Sequence, residues 1–182
     1  IYIIVIMDLE ERKKLMKDKI SEMKELRKNQ EFEDTYYYES KSLFSDFTPT
    51  TLLNSITRLN DKSIESGKKL NTIYIVNFEP DEELLNKVKI INNKLKHRFI
   101  QIFEDKTLLY NVTKHFLVPK HTRISKENTE KATELMQRLH IKSLSKLPKI
   151  QVEDPVAKFI GLNVGDLCCI ERDNIFVYRL CV

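Results

Sequence analysis

Two short stretches carry the residue types of a metal-dependent nuclease. Pro80-Asp81 is followed, 23 residues after the aspartate, by Glu104-Asp105-Lys106. This spells a PD…(D/E)xK pattern, whose chemistry would need two carboxylates on Mg²⁺ and a lysine near the attacking water. The pattern is short and degenerate in a chain with 27 acidic residues. A plainer reading covers both halves: Asp81 favours a helix N-terminus, and Glu104-Asp105-Lys106 is a polar turn. A helix also separates the halves, whereas such nucleases usually carry them on neighbouring strands. The other reactive side chains form no constellation. His97, His115, His121 and His140, with Cys168, Cys169 and Cys181, show neither C-x-x-C nor H-E-x-x-H spacing. In a strand, Cys168 and Cys169 point to opposite faces and cannot easily share one ion, so structural cysteines are expected. His115 and His121 are expected to be hydrogen-bonded structural residues. Ser66-Gly67-Lys68 lacks the earlier glycine and following Ser/Thr of a phosphate loop, and G-x-S-x-G is absent. No catalytic residue, metal or cofactor is expected.

Hydrophobic patterning gives the elements that must position these residues. Ile1 to Met7 reads as a buried strand. Asp8 to about Lys28 reads as a solvated helix with one packing stripe, Met16, Ile20 and Met23. Thr35 to Glu39 reads as a strand whose three tyrosines could stack on bases but more often pack. Pro49 to Ser66 is a helix with Leu52, Leu53, Ile56 and Leu59 on one face, closed by Gly67-Lys68-Lys69. Thr72 to Phe78 and Arg98 to Phe103 are strands around a helix opened by Pro80, with Asp81, Glu82 and Glu83 in its first turn. Strands and helices alternate here, which predicts a βαβ unit.

The second half reads differently. Leu108 to Thr113, Cys168 to Arg172 and Ile175 to Cys181 are expected strands, the last two joined by a tight Asp173-Asn174 turn. Ser125 is the expected cap of a helix to about His140, with Ala132, Leu135, Met136 and Leu139 on its apolar face. Asp154-Pro155 caps a very short helix that Gly161 closes. The expected fold class is α/β or α+β: a small N-terminal α/β domain over 1–106 and a compact mixed α/β domain over 107–182. A fragment from about Leu108 to Val182 is expected to fold alone.

Composition narrows the function. The 182 residues hold 31 basic and 27 acidic side chains, a net charge of +4. Residues 1–106 balance at 19 of each sign, so the excess lies in 107–182. A protein that grips nucleic acid by itself usually has a denser basic footprint, so DNA binding by this chain alone should be weak and salt-sensitive. No apolar run reaches the ~20 residues of a membrane span, and no signal-peptide flank or cleavage pattern is seen. Three cysteines cannot make a disulfide framework, so a reducing, intracellular compartment is expected. The chain opens on Ile1 inside an apolar run without Met, and its true N-terminus is expected to lie upstream. With 19 Ile, 23 Lys and 12 Asn against 2 Ala, the codons point to an AT-rich genome.

The second half also carries an ordered set of motifs. Leu117-Val-Pro-Lys-His121 is followed by Leu147-Pro-Lys-Ile-Gln151, Asp154-Pro-Val-Ala-Lys-Phe-Ile-Gly-Leu162, Gly165-Asp166 and Tyr178-Arg-Leu180. This set resembles the C-terminal assembly domain of the fifth subunit of eukaryotic DNA-directed RNA polymerases and of its archaeal counterpart. The match covers about 108–182, and 72–106 would continue it as the last βαβ of the family's N-terminal jaw. The resemblance implies a non-catalytic subunit docked on the largest polymerase subunit near the downstream DNA cleft, with other polymerase subunits as partners. It assigns Pro119, His121, Leu147, Pro148, Lys149, Ile150, Asp154, Pro155 and Arg179 to the domain's conformation or to that docking. Phe159 and Val156 are expected in the core. Leu147 to Ile150 is expected at the interface, extended and with backbone groups free to pair with a partner strand.

The departures from the family pattern point to a divergent source. The Asp173-Asn174 turn is shorter than the family's usual R-P-S-E-T-A-G loop. The segment from Ser125 to Pro148 is about one helical turn longer. Where the family's jaw typically reads T-P-x-A near downstream DNA, this chain has Glu79-Pro80-Asp81-Glu82-Glu83, whose four carboxylates should repel phosphate. Lys68 and Lys69 are the expected DNA-proximal residues, in weak contact with double-stranded DNA within the complex. Divergence and AT bias together favour a large DNA virus encoding its own polymerase. The expected location is the nucleus for a cellular protein, or a cytoplasmic viral factory or virion for a viral one. The alternative to this reading is a PD-(D/E)xK-like Mg-dependent nuclease or an autonomous DNA-binding protein.

Overall fold

The computed structural model describes residues 9–28, 35–38, 48–66, 71–94 and 99–182. The chain divides into two compact units, one of Ile1–Lys24 and Glu33–Tyr110, the other of Glu25–Phe32 and Asn111–Val182. The expected strand at Ile1 to Met7 lies outside the described residues, as do Gly67, Lys68, Lys69 and His97.

Helix α1 (Leu9–Lys28), of which the residues up to Lys24 belong to the first unit, buries Met16, Ile20 and Met23 along the expected stripe. Strands β1 (Thr35–Tyr38), β2 (Asn71–Val76) and β3 (Ile100–Glu104) form a parallel sheet in the order β1-β2-β3. Thr48 and Thr51 exchange backbone-to-hydroxyl hydrogen bonds of 3.3 and 2.9 Å at the start of α2 (Pro49–Ser66), satisfying donors the helix itself leaves open. Asp81 caps α3 (Glu82–Lys94), its Oδ1 accepting the Leu84 N–H at 2.7 Å. The aspartate therefore precedes the first turn, which Glu82 and Glu83 occupy. Leu52 and Ile56 from α2, with Leu84 and Val88 from α3, pack on Tyr74, Val76, Ile100 and Ile102. Ile73, Ile75, Gln101 and Phe103, on the opposite face, are also buried, as parallel strands require. The βαβ unit read from the sequence is thus β2-α3-β3.

The second unit is built on a mixed sheet of β4 (Lys120–Ile124), β5 (Lys149–Ile150), β6 (Leu167–Arg172) and β7 (Ile175–Cys181), ordered β4-β6-β7-β5. β6 runs antiparallel to both β4 and β7, and β5 lies parallel to β7. Helix α4 (Thr129–Arg138) and helix α5 (Pro155–Ile160) belong to separate cores. Val156, Ala157, Ile160 and Leu162 pack with Ile150, Cys168, Ile170 and Cys181. Leu135 packs with Leu147 and Leu167, beside Ile124, Tyr178 and Leu180. Alternate residues of β6 and β7 enter alternate cores, the period-2 rule of a sheet covered on both faces. Asp173 (φ 45°) and Asn174 (φ 66°) make the expected two-residue turn, in the left-handed conformation such hairpins need.

Two expectations fail for the same reason. Leu108 to Thr113 is not a strand but a pair of 3₁₀ turns, Asp105–Leu108 and Val112–Lys114. Asn111 Oδ1 accepts the Thr113 N–H at 3.0 Å, and consecutive Leu108 and Leu109 are both buried, which alternation along a half-buried strand would forbid. The strand lies instead at Lys120–Ile124, hidden in the sequence by its charged and polar residues. Ser125 does not cap α4: its hydroxyl accepts the Glu127 N–H at 3.2 Å in a local turn. Asn128 is the cap, accepting the Lys131 N–H at 3.0 Å, and the helix ends at Arg138 rather than His140, whose φ of 52° breaks it.

Candidate functional site

The Asp154–Gly161 motif folds as its residue types demand. Asp154 Oδ1 accepts the N–H groups of Val156 (2.9 Å) and Ala157 (3.1 Å). Pro155 stands first in the helix, where its missing N–H is no loss. Gly161 closes it at φ 77°, a conformation that costs a side chain dearly. Six residues cannot sustain a helix, so burial must, and Val156, Ala157, Phe159 and Ile160 are all buried. The far end is held by Arg27, from the last turn of α1. Its Nε donates to the Phe159 carbonyl (3.0 Å) and its Nη2 to the Lys158 carbonyl (2.6 Å), leaving the residue 2 % exposed. A guanidinium there answers both the open carbonyls and the negative helix end. Reading α1 as solvated missed Arg27. The signal was its place four residues after Met23, continuing the buried stripe.

Gly165-Asp166 anchors the other side. Gly165 has φ 93°, and a Cβ there would stand 3.2 Å from the Lys126 side chain. Asp166 is wholly buried. Its Oδ2 accepts from Arg123 Nε (2.7 Å) and the Asn163 N–H (2.8 Å), and its Oδ1 from the Lys126 N–H (2.9 Å). Its backbone carbonyl accepts the Cys181 N–H at 2.9 Å. One residue thus joins the end of β4, the turn before β6 and the end of β7. Arg123, its charge partner, was not singled out in the sequence.

The residues assigned to conformation or docking sort by exposure. His121 Nδ1 lies 2.6 Å from the Pro119 carbonyl; a carbonyl only accepts, so Nδ1 carries the proton of the neutral ring. Leu147 and Ile150 are buried in the two cores, and Asp154 and Arg179 are half-buried. Pro148, Lys149 and Pro155 are exposed. The backbone of Leu147 to Ile150 is not free as expected. The Pro148 and Ile150 carbonyls each accept from β7, from Leu180 and Val182 at 2.9 Å, and Arg179 Nη1 donates to the Lys149 carbonyl at 3.0 Å. Those bonds make the segment a strand of its own sheet.

Burial lowers the His121 pKa below its ordinary value. The Pro119 carbonyl and Asp154 oppose that shift, while Arg172 and Arg179 reinforce it. The folded state therefore binds this proton less readily than the unfolded chain. Its contribution is complete above about pH 6.5 and is lost as pH falls through the lowered folded value. His121→Asn, whose amide can still donate to Pro119, is expected to flatten this acid slope, by at most about 1.4 kcal/mol per pH unit. Denaturant unfolding of both proteins between pH 5 and 7 measures it; equal slopes would dismiss the role. Cys168 and Cys181, buried in the same core, have thiol pKa values pushed up by burial to about 12, which makes them poor nucleophiles and ligands.

The nuclease pattern dissolves into local roles. Asp81 caps α3. Asp105 is buried, accepting from Arg12 Nη2 at 3.3 Å and from the Lys106 N–H at 2.7 Å. Lys106 pairs with Glu104 at 2.9 Å, and that hydrogen bond raises its pKa, the wrong direction for a general base. Among the described residues no group of three or more His, Cys, Asp and Glu could hold a metal ion. Likewise, no described helix is long and apolar enough to cross a membrane. His115 stacks on Phe116 with ring centroids 4.8 Å apart and accepts the Leu117 N–H at 3.2 Å.

Comparison with known proteins follows the second unit closely. The family described as RNA polymerase Rpb5, C-terminal domain, matches residues 110–181. The DNA-directed RNA polymerase subunit Rpo5 of Archaeoglobus fulgidus is 41% identical over 78 residues, 40% of this chain and 97% of that protein. The chain belongs to the Rpb5 C-terminal domain family. Subunit rpabc1 of DNA-directed RNA polymerases I, II and III from Dictyostelium discoideum is 41% identical over 88 residues, 46% of this chain. This chain spans 43% of the length of that relative. Both relatives are named as subunits of DNA-directed RNA polymerases. The Rpb5 match, 110–181, covers nearly all of the Asn111–Val182 segment of the second unit, and the motifs from Leu117 to Leu180 lie within it.

Proposed function

We propose that this chain is a non-catalytic subunit of a multisubunit DNA-directed RNA polymerase, docked by its second unit on the largest subunit near the downstream DNA cleft. The observation that carries the reading is the alignment to nearly the full length of the archaeal Rpo5 protein, beside the family match over residues 110–181. The outward-facing Pro148, Lys149 and Pro155 are the docking contacts in this reading. Pro119, His121, Leu147, Ile150, Asp154 and Arg179 hold the conformation that presents them. The other partners are the remaining polymerase subunits, and the chain acts where that polymerase acts: in the nucleus of a cell, or in the cytoplasmic factory or virion of a virus. Double-stranded DNA is touched only weakly and within the complex, because exposed Glu79, Asp81, Glu82 and Glu83 present carboxylates to it.

Tagged full chain isolated from its native cell is expected to elute with two very large polypeptides, in a complex of several hundred kilodaltons. Elution as a free chain, from extracts whose polymerase stays intact, would overturn the proposal. No observation favours the nuclease alternative.

A further inference from the structure

Strand β7 has one edge that its own sheet does not use. It pairs with β6 over nearly its whole length, from Ile175 opposite Arg172 to Leu180 opposite Leu167. On the other side β5 meets it only at Leu180 and Cys181. The register sorts the backbone groups. The two-residue turn makes Arg172 and Ile175 the closing hydrogen-bonded pair, so Ile175, Val177, Arg179 and Cys181 turn their N–H and C=O groups to β6. Phe176, Tyr178, Leu180 and Val182 turn theirs the other way. The Leu180 and Val182 N–H groups accordingly reach the Pro148 and Ile150 carbonyls, each at 2.9 Å. Ahead of them, no strand among the described residues stands beside Phe176 and Tyr178.

This edge lacks the usual protection. Exposed edges in lone proteins carry lysine, proline or a bulge that discourages pairing. Here Ile175-Phe-Val-Tyr178 is an unbroken run of strand-forming residues, with Ile175 66 % and Phe176 54 % exposed. The charge around it is positive. The Arg138 guanidinium sits 5.2 Å from the Tyr178 ring centroid and donates to its hydroxyl at 2.6 Å. Arg172 closes the hairpin, Arg179 follows Tyr178, and Lys149 is exposed on the neighbouring strand. Of the nearby acids, Glu171 faces Lys120 at 3.6 Å, Glu134 on α4 acts on Arg138, and Asp173 stands at the turn, against the four cations Arg138, Arg172, Arg179 and Lys149. A second copy paired edge to edge would set these arginines against their own images. An extended segment alternating acidic and apolar residues would meet them with opposite charge and cover Phe176.

We propose that the Phe176–Tyr178 edge of β7 receives an extended acidic–apolar segment of another polymerase subunit as an added strand, in line with β5. This rests on the subunit reading above. Its affinity would come from backbone hydrogen bonds and its selectivity from alternate side chains.

Amide hydrogen exchange on the full chain, free and within the purified polymerase, tests it directly. The Phe176 and Tyr178 amides are expected to gain at least about tenfold protection on assembly. A second arm uses Phe176→Pro, which removes an N–H that faces away from β6 and is therefore tolerated in the fold. Its melting temperature should stay near wild type while its recovery with the polymerase falls at least about tenfold. If the wild-type chain assembles but those amides exchange as in the free chain, or Phe176→Pro assembles normally, the edge is not the site. Should Phe176→Pro fail to fold, the exchange comparison on wild type decides alone. A free-chain dimer that this substitution abolishes would assign the edge to a second copy and overturn the proposal. Wild type that never joins a polymerase overturns the subunit reading itself, a separate outcome.

Discussion

Asp166→Ala is expected to destabilise the second unit by about 3–5 kcal/mol, the range for breaking a buried ion pair by removing one partner. The change takes the carboxylate away from the Arg123 guanidinium, whose side chain is 10 % exposed. It also leaves the Asn163 and Lys126 N–H groups without their acceptor. Asp166→Asn is expected to recover only part of the loss, because one amide oxygen replaces two carboxylate oxygens that serve three donors. The double variant Arg123→Met with Asp166→Ala separates the contributions. Removing both charges takes away the ion-pair component, but the two backbone donors stay unsatisfied, so roughly 2 kcal/mol should remain. Denaturant unfolding, with amide exchange in β6 and β7 as the local readout, measures all three variants. Full recovery in the double variant would reduce Asp166 to a charge partner; a neutral Asp166→Ala would refute the account.

The second large effect falls on a residue far from the family motifs in sequence. Arg27→Ala is expected to cost about 3 kcal/mol, from two charge-assisted hydrogen bonds to carbonyls at the end of a helix too short to stand alone. Arg27→Lys keeps the charge but not the fork that reaches Lys158 and Phe159 together, and should restore less than half. A fragment of residues 108–182, which lacks Arg27, should unfold at lower denaturant than the second unit of the full chain, by a comparable free energy. Equal midpoints for the fragment and the full chain would show that Arg27 fills space without holding α5. Arg27→Met, which retains the apolar stem, controls for lost packing.

The local rules were legible without coordinates wherever a residue's own chemistry sets its conformation. Asp154, Pro155 and Gly161 announce a helix start and stop, and each acts as one. Asp173-Asn174 announces a tight hairpin, and both residues adopt the left-handed conformation it needs. The stripe of Met16, Ile20 and Met23 and the β2-α3-β3 alternation follow from periodicity that burial enforces. The ordered motifs from Leu117 to Leu180 were enough to read the family, since most of them fix turns, caps or core positions. Competition between neighbouring side chains was harder to read: Asn128 displaced Ser125 as a cap, and Asn111 turned an expected strand into a 3₁₀ turn, because each offered its backbone a nearer acceptor. What only the tertiary structure decided were pairings across long sequence distances. Arg27 meets carbonyls 131 and 132 residues away, Asp166 meets Arg123 across 43, and the Leu147–Ile150 segment commits its backbone to β7. A sequence lists donors and acceptors but not which of them desolvation will force together, and burial of a charge or a strand edge fixes its partner only once the chain has folded around it.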